Sequence, residues 1–111
     1  MRDDLPDSFE ISERVRGERT VLALHGELDL ATVDPVRDRL EALRAEGRPV
    51  VLDLDGLAFM DSTGIRLVIE CVHHRERDGW EFHVTRGSDP VRRVFAAARI
   101  EDRLPYAPPH A

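Results

Sequence analysis

The run Asp61-Ser62-Thr63-Gly64 is the part of this sequence whose residue types and spacing could support chemistry. It stands directly before a helical pattern predicted over residues 62–78. The first amides of a helix lack partners within the helix, and the helix dipole favours negative charge at that end. A phosphate carried by the Ser62 hydroxyl would therefore lie where exposed amides can bind it, and Gly64 would leave room for a close approach.

Helix capping alone also explains this run of residues. Aspartate and serine are among the residues that most often cap helix N-termini, because their side-chain oxygens accept hydrogen bonds from the free amides. Most Asp-Ser-Thr-Gly sequences ahead of helices do no more than this. Local physical chemistry therefore leaves two interpretations of Ser62 open, a modified hydroxyl and a helix cap.

The rest of the chain offers little for catalysis or cofactor binding. All sixteen basic residues are arginines, so a Walker A lysine and a Schiff-base lysine are impossible. The histidines and the cysteine do not have the spacing of metal ligands. Asp53, Asp55 and Asp61 could form a Mg²⁺ cluster, but the lysine and the paired acids of a phosphoacceptor pocket are missing. We therefore predict no catalytic residue, no metal and no cofactor, and a protein that is not an enzyme.

Composition and charge narrow the possible partners. A formal net charge of -6 argues against binding to nucleic acid and to anionic membranes. The single cysteine, Cys71, lies in an apolar run, and we expect it to be buried as a small hydrophobic residue. No apolar stretch approaches the ~20 residues that span a bilayer, and acidic residues stand where a signal peptide needs basic ones. We expect a cytoplasmic protein.

Apolar periodicity predicts the strands. Residues 8–15 alternate with period two, a turn follows, and residues 20–25 form a second strand, so a hairpin is expected. A loop is predicted over 26–29. A nearly continuous apolar run at 50–54 predicts a strand buried on both faces, and 81–85 predicts a short strand. Phe9, Ile11 and Val15 share one parity in the first strand, and Glu13 interrupts that apolar set.

Three helices with apolar stripes are predicted between and after these strands. The first begins at residue 31 or 32, has Pro35 in its first turn and stops at 47–49. The second ends at Gly79, and the third opens on a capping serine followed by Pro90. The stripe positions are Val33, Val36, Leu40, Leu43, Ile65, Val68, Ile69, Val72, Val91, Val94, Phe95 and Ala98.

The order of these elements is β-β-α-β-α-β-α. Strands that alternate with helices after an initial hairpin indicate parallel pairing through crossovers, and hence a small mixed β-sheet with helices packed on it, an α/β fold. The length fits a single domain over 1–111 with a core at about 8–105. We expect a polar N-terminal tail and a Pro-rich C-terminal tail, with a short edge segment within 104–111.

Three stretches, in order along the chain, resemble the STAS-domain family and within it the anti-sigma factor antagonists. The main one runs from Val51 through Phe59-Met-Asp-Ser-Thr-Gly-Ile65; the others are Leu24-His-Gly-Glu-Leu-Asp29 and Pro90-Val-Arg-Arg-Val-Phe95. The resemblance implies a STAS fold and phosphorylation at Ser62. It implies that the unphosphorylated protein binds an anti-sigma factor that is also a serine kinase, and that this binding releases the sigma factor. Phosphorylation abolishes binding, and a phosphatase restores it.

The resemblance also implies which residues contact the partner. Asp61, Thr63 and Gly64 belong to the matched motif, and Glu27 and Asp29 lie in a loop that the family places near the phosphorylated serine. These residues are expected partner contacts, although a solvated loop would account for the two acids equally well.

Arg66 departs from the family pattern, because many relatives have glycine at that position. It follows Ser62 by four residues and could pair with a phosphate, set partner specificity, or be an exposed arginine without a role. We include it among the expected partner contacts. The main alternative function keeps the fold: a STAS accessory subunit of a lipid-transport ATPase complex that has no phosphoswitch.

Overall fold

The computed structural model describes residues 8–108 and contains a four-stranded sheet with three α-helices. The predicted order β-β-α-β-α-β-α is confirmed. The elements are β1 Glu10–Arg16, β2 Arg19–Leu28, α1 Val33–Ala45, β3 Val50–Met60, α2 Ser62–Asp78, β4 Phe82–Val84 and α3 Asp89–Ala97, followed by a 3₁₀ turn at Glu101–Arg103.

The sheet has the order β1-β2-β3-β4 and mixes both kinds of pairing. β1 and β2 form the predicted antiparallel hairpin, closed by a turn in which Gly17 has a φ of 66°. β2 pairs in parallel with β3, and β3 in parallel with β4, because α1 and α2 carry the chain back between them. The predicted mixed α/β fold is therefore confirmed.

One core lies between the sheet and the helices. It is built from alternate residues of the strands, among them Leu22, Leu24, Leu52 and Leu54, none of which exposes any surface. The whole predicted stripe of α1 is buried. α2 is turned slightly from the prediction: Leu67, Val68 and Cys71 are its buried line, whereas Ile69 is only half-buried and lies outside the core cluster. In α3, Val91 and Phe95 are buried but Ala98, which follows the helix, is exposed.

Two predictions about the strands were wrong, and one residue of the alternating first strand is exposed. Residues 26–28 are not a loop but the end of β2, which continues to Leu28 through two irregularities in its pairing with β3. β3 likewise runs on to Met60 instead of stopping near residue 54. Val15 is 64% exposed, because β1 is the terminal strand and its far end extends beyond the cover of the core.

The chain after α3 returns to the sheet. Tyr106 forms an isolated bridge with Val84 beside β4, which agrees with the edge segment predicted within 104–111. The predicted N-terminal tail and the last three residues lie outside the described residues. The predicted division into one core with two tails stays a prediction.

Candidate functional site

The candidate site lies where β2 and β3 end side by side. Leu28 faces Met60 across the two strands, and the Asp61 amide donates a hydrogen bond to the Leu28 carbonyl at 3.3 Å. α2 begins with the next residue, Ser62. The carboxyl ends of two parallel strands therefore fix the position of this helix N-terminus, as in other α/β sheets where function is found at that edge.

Asp61, and not Ser62, caps α2. Asp61 has extended backbone angles, and its Oδ1 accepts a hydrogen bond from the Thr63 amide at 2.8 Å. Its carbonyl accepts the Gly64 and Ile65 amides at 3.0 and 3.3 Å. Ser62 is the first residue of the helix and is exposed, and within residues 8–108 its hydroxyl has no hydrogen-bond partner. The run therefore does cap the helix, as the capping interpretation predicts, but the capping side chain is that of Asp61 and Ser62 takes no part in it.

Gly64 serves packing beneath the surface. It is buried, and a Cβ at this position would collide with the Met60 side chain, including its Sδ at 2.7 Å, and would come within 3.1 Å of Leu28 Cδ2. The groups that approach Gly64 closely are thus side chains from the ends of β2 and β3. The absence of a side chain at residue 64 lets the first turn of α2 lie directly on those strand ends.

The two acids of the predicted loop differ in their surroundings. Glu27 is exposed near the end of β2, whereas Asp29 is half-buried and its Oδ1 accepts the Ala31 amide at 3.0 Å. Thr32, which the sequence did not single out, is 2% exposed and holds the turn. Its hydroxyl donates to the Glu27 carbonyl at 2.8 Å and accepts the Asp29 amide at 3.0 Å. Asp29 and Thr32 therefore shape the loop, whereas the Glu27 carboxylate forms no ion pair with any residue between 8 and 108.

Two large apolar side chains near this edge are exposed and were missed in the sequence. Phe59 is 45% exposed and lies opposite Glu27 in the β2–β3 pairing. Leu30 is 79% exposed in the loop two residues beyond Leu28. No clear sequence signal marked Phe59, because alternation breaks down in this part of β3: Leu57 and Met60 are buried, whereas Ala58 and Phe59 are both exposed. Each of these side chains offers apolar area that a binding partner can cover.

Arg66 is exposed one turn beyond Ser62 on the same helix face, and no acid within residues 8–108 forms an ion pair with it. We name the residues around the tip of α2 the Ser62 surface. Its members are Glu27, Leu30, Phe59, Ser62, Thr63 and Arg66. These residues come from the ends of β2 and β3, the loop after β2 and the first turns of α2, and they supply two hydroxyls, two apolar groups, one acid and one base.

Other groups that could have carried chemistry are occupied elsewhere. Asp53 Oδ1 accepts the Asp55 amide at 2.9 Å within β3, and Asp55 Oδ1 accepts the Gly87 amide of the segment after β4 at 3.0 Å, so both carboxylates are engaged with backbone amides. Burial raises the pKa of the Cys71 thiol to about 12, which keeps it protonated and confirms its prediction as a buried residue. Across residues 8–108 no three acidic, histidine or cysteine side chains are grouped as metal ligands. None of the helices there has the length and apolar character to cross a bilayer.

The sheet order and the helices that connect its parallel strands place this chain among small α/β domains that are built on a mixed sheet. Within that class, residues 11–106 match the family described as Mlab, STAS domain. The chain belongs to the STAS-domain family, and the resemblance seen in the sequence is confirmed.

The relatives of this chain share its size and fold. The anti-sigma F factor antagonist of Lysinibacillus sphaericus is 33% identical over 85 residues, which cover 75% of this chain and 73% of the relative. The structure of the anti-sigma factor antagonist SpoIIAA in its unphosphorylated form matches with a TM-score of 0.71 at 26% identity, covering 92% of this chain and 90% of that one. The Bacillus cell fate determinant SpoIIAA in its phosphorylated form matches with a TM-score of 0.67 at 25% identity, covering 92% and 93%.

Proposed function

We propose that this protein is an anti-sigma factor antagonist whose binding is controlled by phosphorylation of Ser62. The observation that carries the proposal is that Asp61 caps α2, which leaves the Ser62 hydroxyl exposed and uncommitted at the first position of the helix. A kinase needs such access, because the nucleophilic oxygen must enter another protein's active site. The similarity to named anti-sigma factor antagonists, one of them solved in both unphosphorylated and phosphorylated forms, supports the same function.

In the proposed cycle the chain is a ligand and a substrate and performs no catalysis itself. The unphosphorylated protein binds a kinase-type anti-sigma factor, which then releases its sigma factor. The kinase transfers the γ-phosphoryl group of ATP to Ser62 Oγ, the hydroxyl proton leaves, and ADP is released. A phosphatase hydrolyses the phosphoserine and restores the hydroxyl. Because the cycle consumes ATP, it belongs in the cytoplasm.

The composition of the Ser62 surface explains how a phosphate would end binding. Leu30 and Phe59 supply apolar area that a partner can cover, while Glu27 and Arg66 can form ion pairs at the rim of the contact. Phosphorylation adds about -1.5 to -2 charges next to Asp61. Enclosing that charge in an apolar contact without a matching cation costs several kcal/mol, which corresponds to orders of magnitude in affinity. A change of fold is unnecessary.

Arg66 adds to the proposed switch a positive charge that can pair with the phosphate on Ser62. A phosphate on Ser62 lies one helical turn from the guanidinium, at a spacing at which oppositely charged side chains pair. Pairing would lower the second pKa of the phosphoserine, and ³¹P NMR titration of the phosphorylated protein measures that pKa. We expect it to rise in Arg66→Ala. If the second pKa of the phosphoserine is the same in the two proteins, Arg66 does not pair with the phosphate, and partner specificity remains as its role. Phosphorylation rates of Arg66→Gly with different kinases test that role.

The direct test is incubation with kinase-type anti-sigma factors and ATP, followed by mass spectrometry and by binding measurements. We expect phosphate on Ser62, loss of binding after modification, and no phosphate on Ser62→Ala. Ser12→Ala is the matched control, because it removes another exposed serine hydroxyl, in β1 and outside the Ser62 surface, and it should be modified as the wild type is. Phosphate on Thr63 alone, or equal binding before and after modification, would contradict the proposal.

Tight binding to a membrane transporter ATPase that Ser62→Ala and Ser62→Asp leave unchanged would favour the accessory-subunit alternative.

A further inference from the structure

The outer edge of β1 is free in the part of the chain that the structure describes. β1 ends the order β1-β2-β3-β4, and it is paired on one side only, from Glu10 opposite His25 to Arg16 opposite Arg19. A terminal strand presents N–H and C=O groups that can pair with another strand. Val15 also exposes 64% of its surface there. The edge is therefore open to a strand from a second molecule.

The sequence of β1 is complementary to itself when two copies run antiparallel. If a two-fold axis passes through Glu13, the central residue of the strand, oppositely charged residues face each other at both ends of the strand pair. An apolar pair then lies next to each charged pair, on the side toward the axis. The facing pairs are Glu10 with Arg16, Ile11 with Val15, and Ser12 with Arg14, and each pair occurs twice. Facing side chains in antiparallel strands lie on the same face and interact, and opposite charges stabilise the pair.

The centre of this arrangement would bring two glutamates together, and the structure already neutralises them. Glu13 accepts two hydrogen bonds from Arg39 of α1, Nε to Oε1 at 2.6 Å and Nη2 to Oε2 at 2.8 Å. This pairing holds the pKa of Glu13 below its usual value. Charged residues on an edge strand usually keep molecules apart. Here each Glu13 carries its own arginine, so two acids and two bases would meet at the axis.

A groove beside β1 can receive the apolar residue of the second copy. It has a volume of about 460 Å³ and is lined by Ile11 and Glu13 of β1 and by Pro35, Asp38, Arg39 and Ala42 of α1. In the paired arrangement Val15 of the other copy lies next to Ile11, at the mouth of this groove. The exposed Val15 of one copy and the half-buried Ile11 of the other would be covered in the same step.

We propose that β1 is a self-association site at which two copies of this chain join their sheets into one of eight strands. The contact consists of one seven-residue strand from each copy, which is small for a stable complex, so the dimer is weak and reversible. The two-fold axis sets the β2 strands antiparallel, and the two Ser62 surfaces therefore point to opposite ends of the dimer. Each remains open to its own partner, and the inference does not depend on the proposed function.

Charge reversal tests this pairing specifically, because a general effect of surface charge on association would not be reversed by combining the two complementary variants. Glu10→Arg and Arg16→Glu each place like charges opposite each other in a homodimer. An equimolar mixture of the two restores opposite charges at both ends, and so does the double variant E10R/R16E. Sedimentation equilibrium over a dilution series measures association, and circular dichroism of each variant checks that it folds.

We expect the wild type to dimerise reversibly and each single variant to associate at least about tenfold more weakly. The mixture and the double variant should associate as the wild type does. A wild type that is monomeric at every concentration, or single variants that associate as strongly as the wild type, would overturn the proposal. Failure of the mixture to associate more strongly than its components would overturn it as well, because the register would then be wrong.

Discussion

Asp61 Oδ1 accepts the amide of Thr63 at 2.8 Å and thereby caps α2 from the residue before Ser62. Two residue types that cap helices stand side by side here, and only one of them does so. The division of roles matters because a hydroxyl that caps a helix would lose that hydrogen bond when it is modified. At this site the helix N-terminus is stabilised independently of the state of Ser62.

The first prediction follows from that division. Asp61→Ala should lower the free energy of unfolding by about 1 kcal/mol, since it removes the cap, whereas Ser62→Ala should change it by less than about 0.5 kcal/mol. Urea unfolding of the two variants beside the wild type measures both values. A larger loss in Ser62→Ala than in Asp61→Ala would show that the serine caps the helix in solution.

The second prediction concerns Gly64 and the strand end beneath it. A Cβ at residue 64 would collide with Met60, which is 1% exposed and has little room to move, so Gly64→Ala should cost about 1–3 kcal/mol of stability. In a Met60→Ala background the collision is absent and the added cost should largely disappear. A double-mutant cycle by urea unfolding measures the coupling. Equal costs of Gly64→Ala in both backgrounds would contradict this account.

The third prediction rests on the proposed function and concerns the exposed apolar groups. Leu30→Ala and Phe59→Ala should each weaken binding to the anti-sigma factor by about tenfold, because each removes apolar area that the partner covers. Val15→Ala is the matched control, since it truncates an exposed apolar residue on a different edge, and it should bind as the wild type does. Titration calorimetry at concentrations below self-association gives the affinities. Unchanged affinity in both Leu30→Ala and Phe59→Ala would place the contact elsewhere.

The sequence predicted the order of elements correctly because apolar periodicity and capping residues are local signals. All four stripe residues of α1 are buried for this reason. The length of β2 was not predictable in the same way. Gly26 has a φ of 105° and looks like a loop residue, but β2 continues through it because pairing with β3 tolerates the irregularity. The exposure of Val15 also depends on a property of the whole sheet, namely that β1 is its terminal strand.

In the candidate site, too, local sequence signals did not predict features that depend on tertiary structure. Sequence reasoning found Ser62 and its helix N-terminus, but it could not decide between Asp61 and Ser62 as the cap, because both have suitable side chains. It also treated Gly64 as room for the close approach of another backbone or of the phosphate, whereas the Met60 side chain fills that space. These distinctions depend on how the ends of β2 and β3 meet α2, which is a tertiary relationship.

The last prediction is a pH dependence of stability that arises at His83 of β4. Partial burial, together with the positive charges of Arg75 and Arg19, lowers the pKa of His83 in the folded protein. A histidine whose pKa is lower in the folded than in the unfolded state stabilises the fold above its unfolded value of about 6.5, and this contribution is lost as the pH falls through the folded value. Wild type should therefore lose more stability than His83→Gln as the pH is lowered from 7.5 to below 6.

Urea unfolding of both proteins across this range isolates the contribution of His83, because all other titrating groups are common to the two. Arg19→Ala gives an independent check through the imidazole itself: removing a nearby positive charge should raise the pKa of His83 toward its ordinary value, as followed by the NMR shifts of its ring protons. If wild type and His83→Gln lose stability in parallel, His83 titrates alike in the folded and unfolded chains, and the acid sensitivity of this fold originates at other residues.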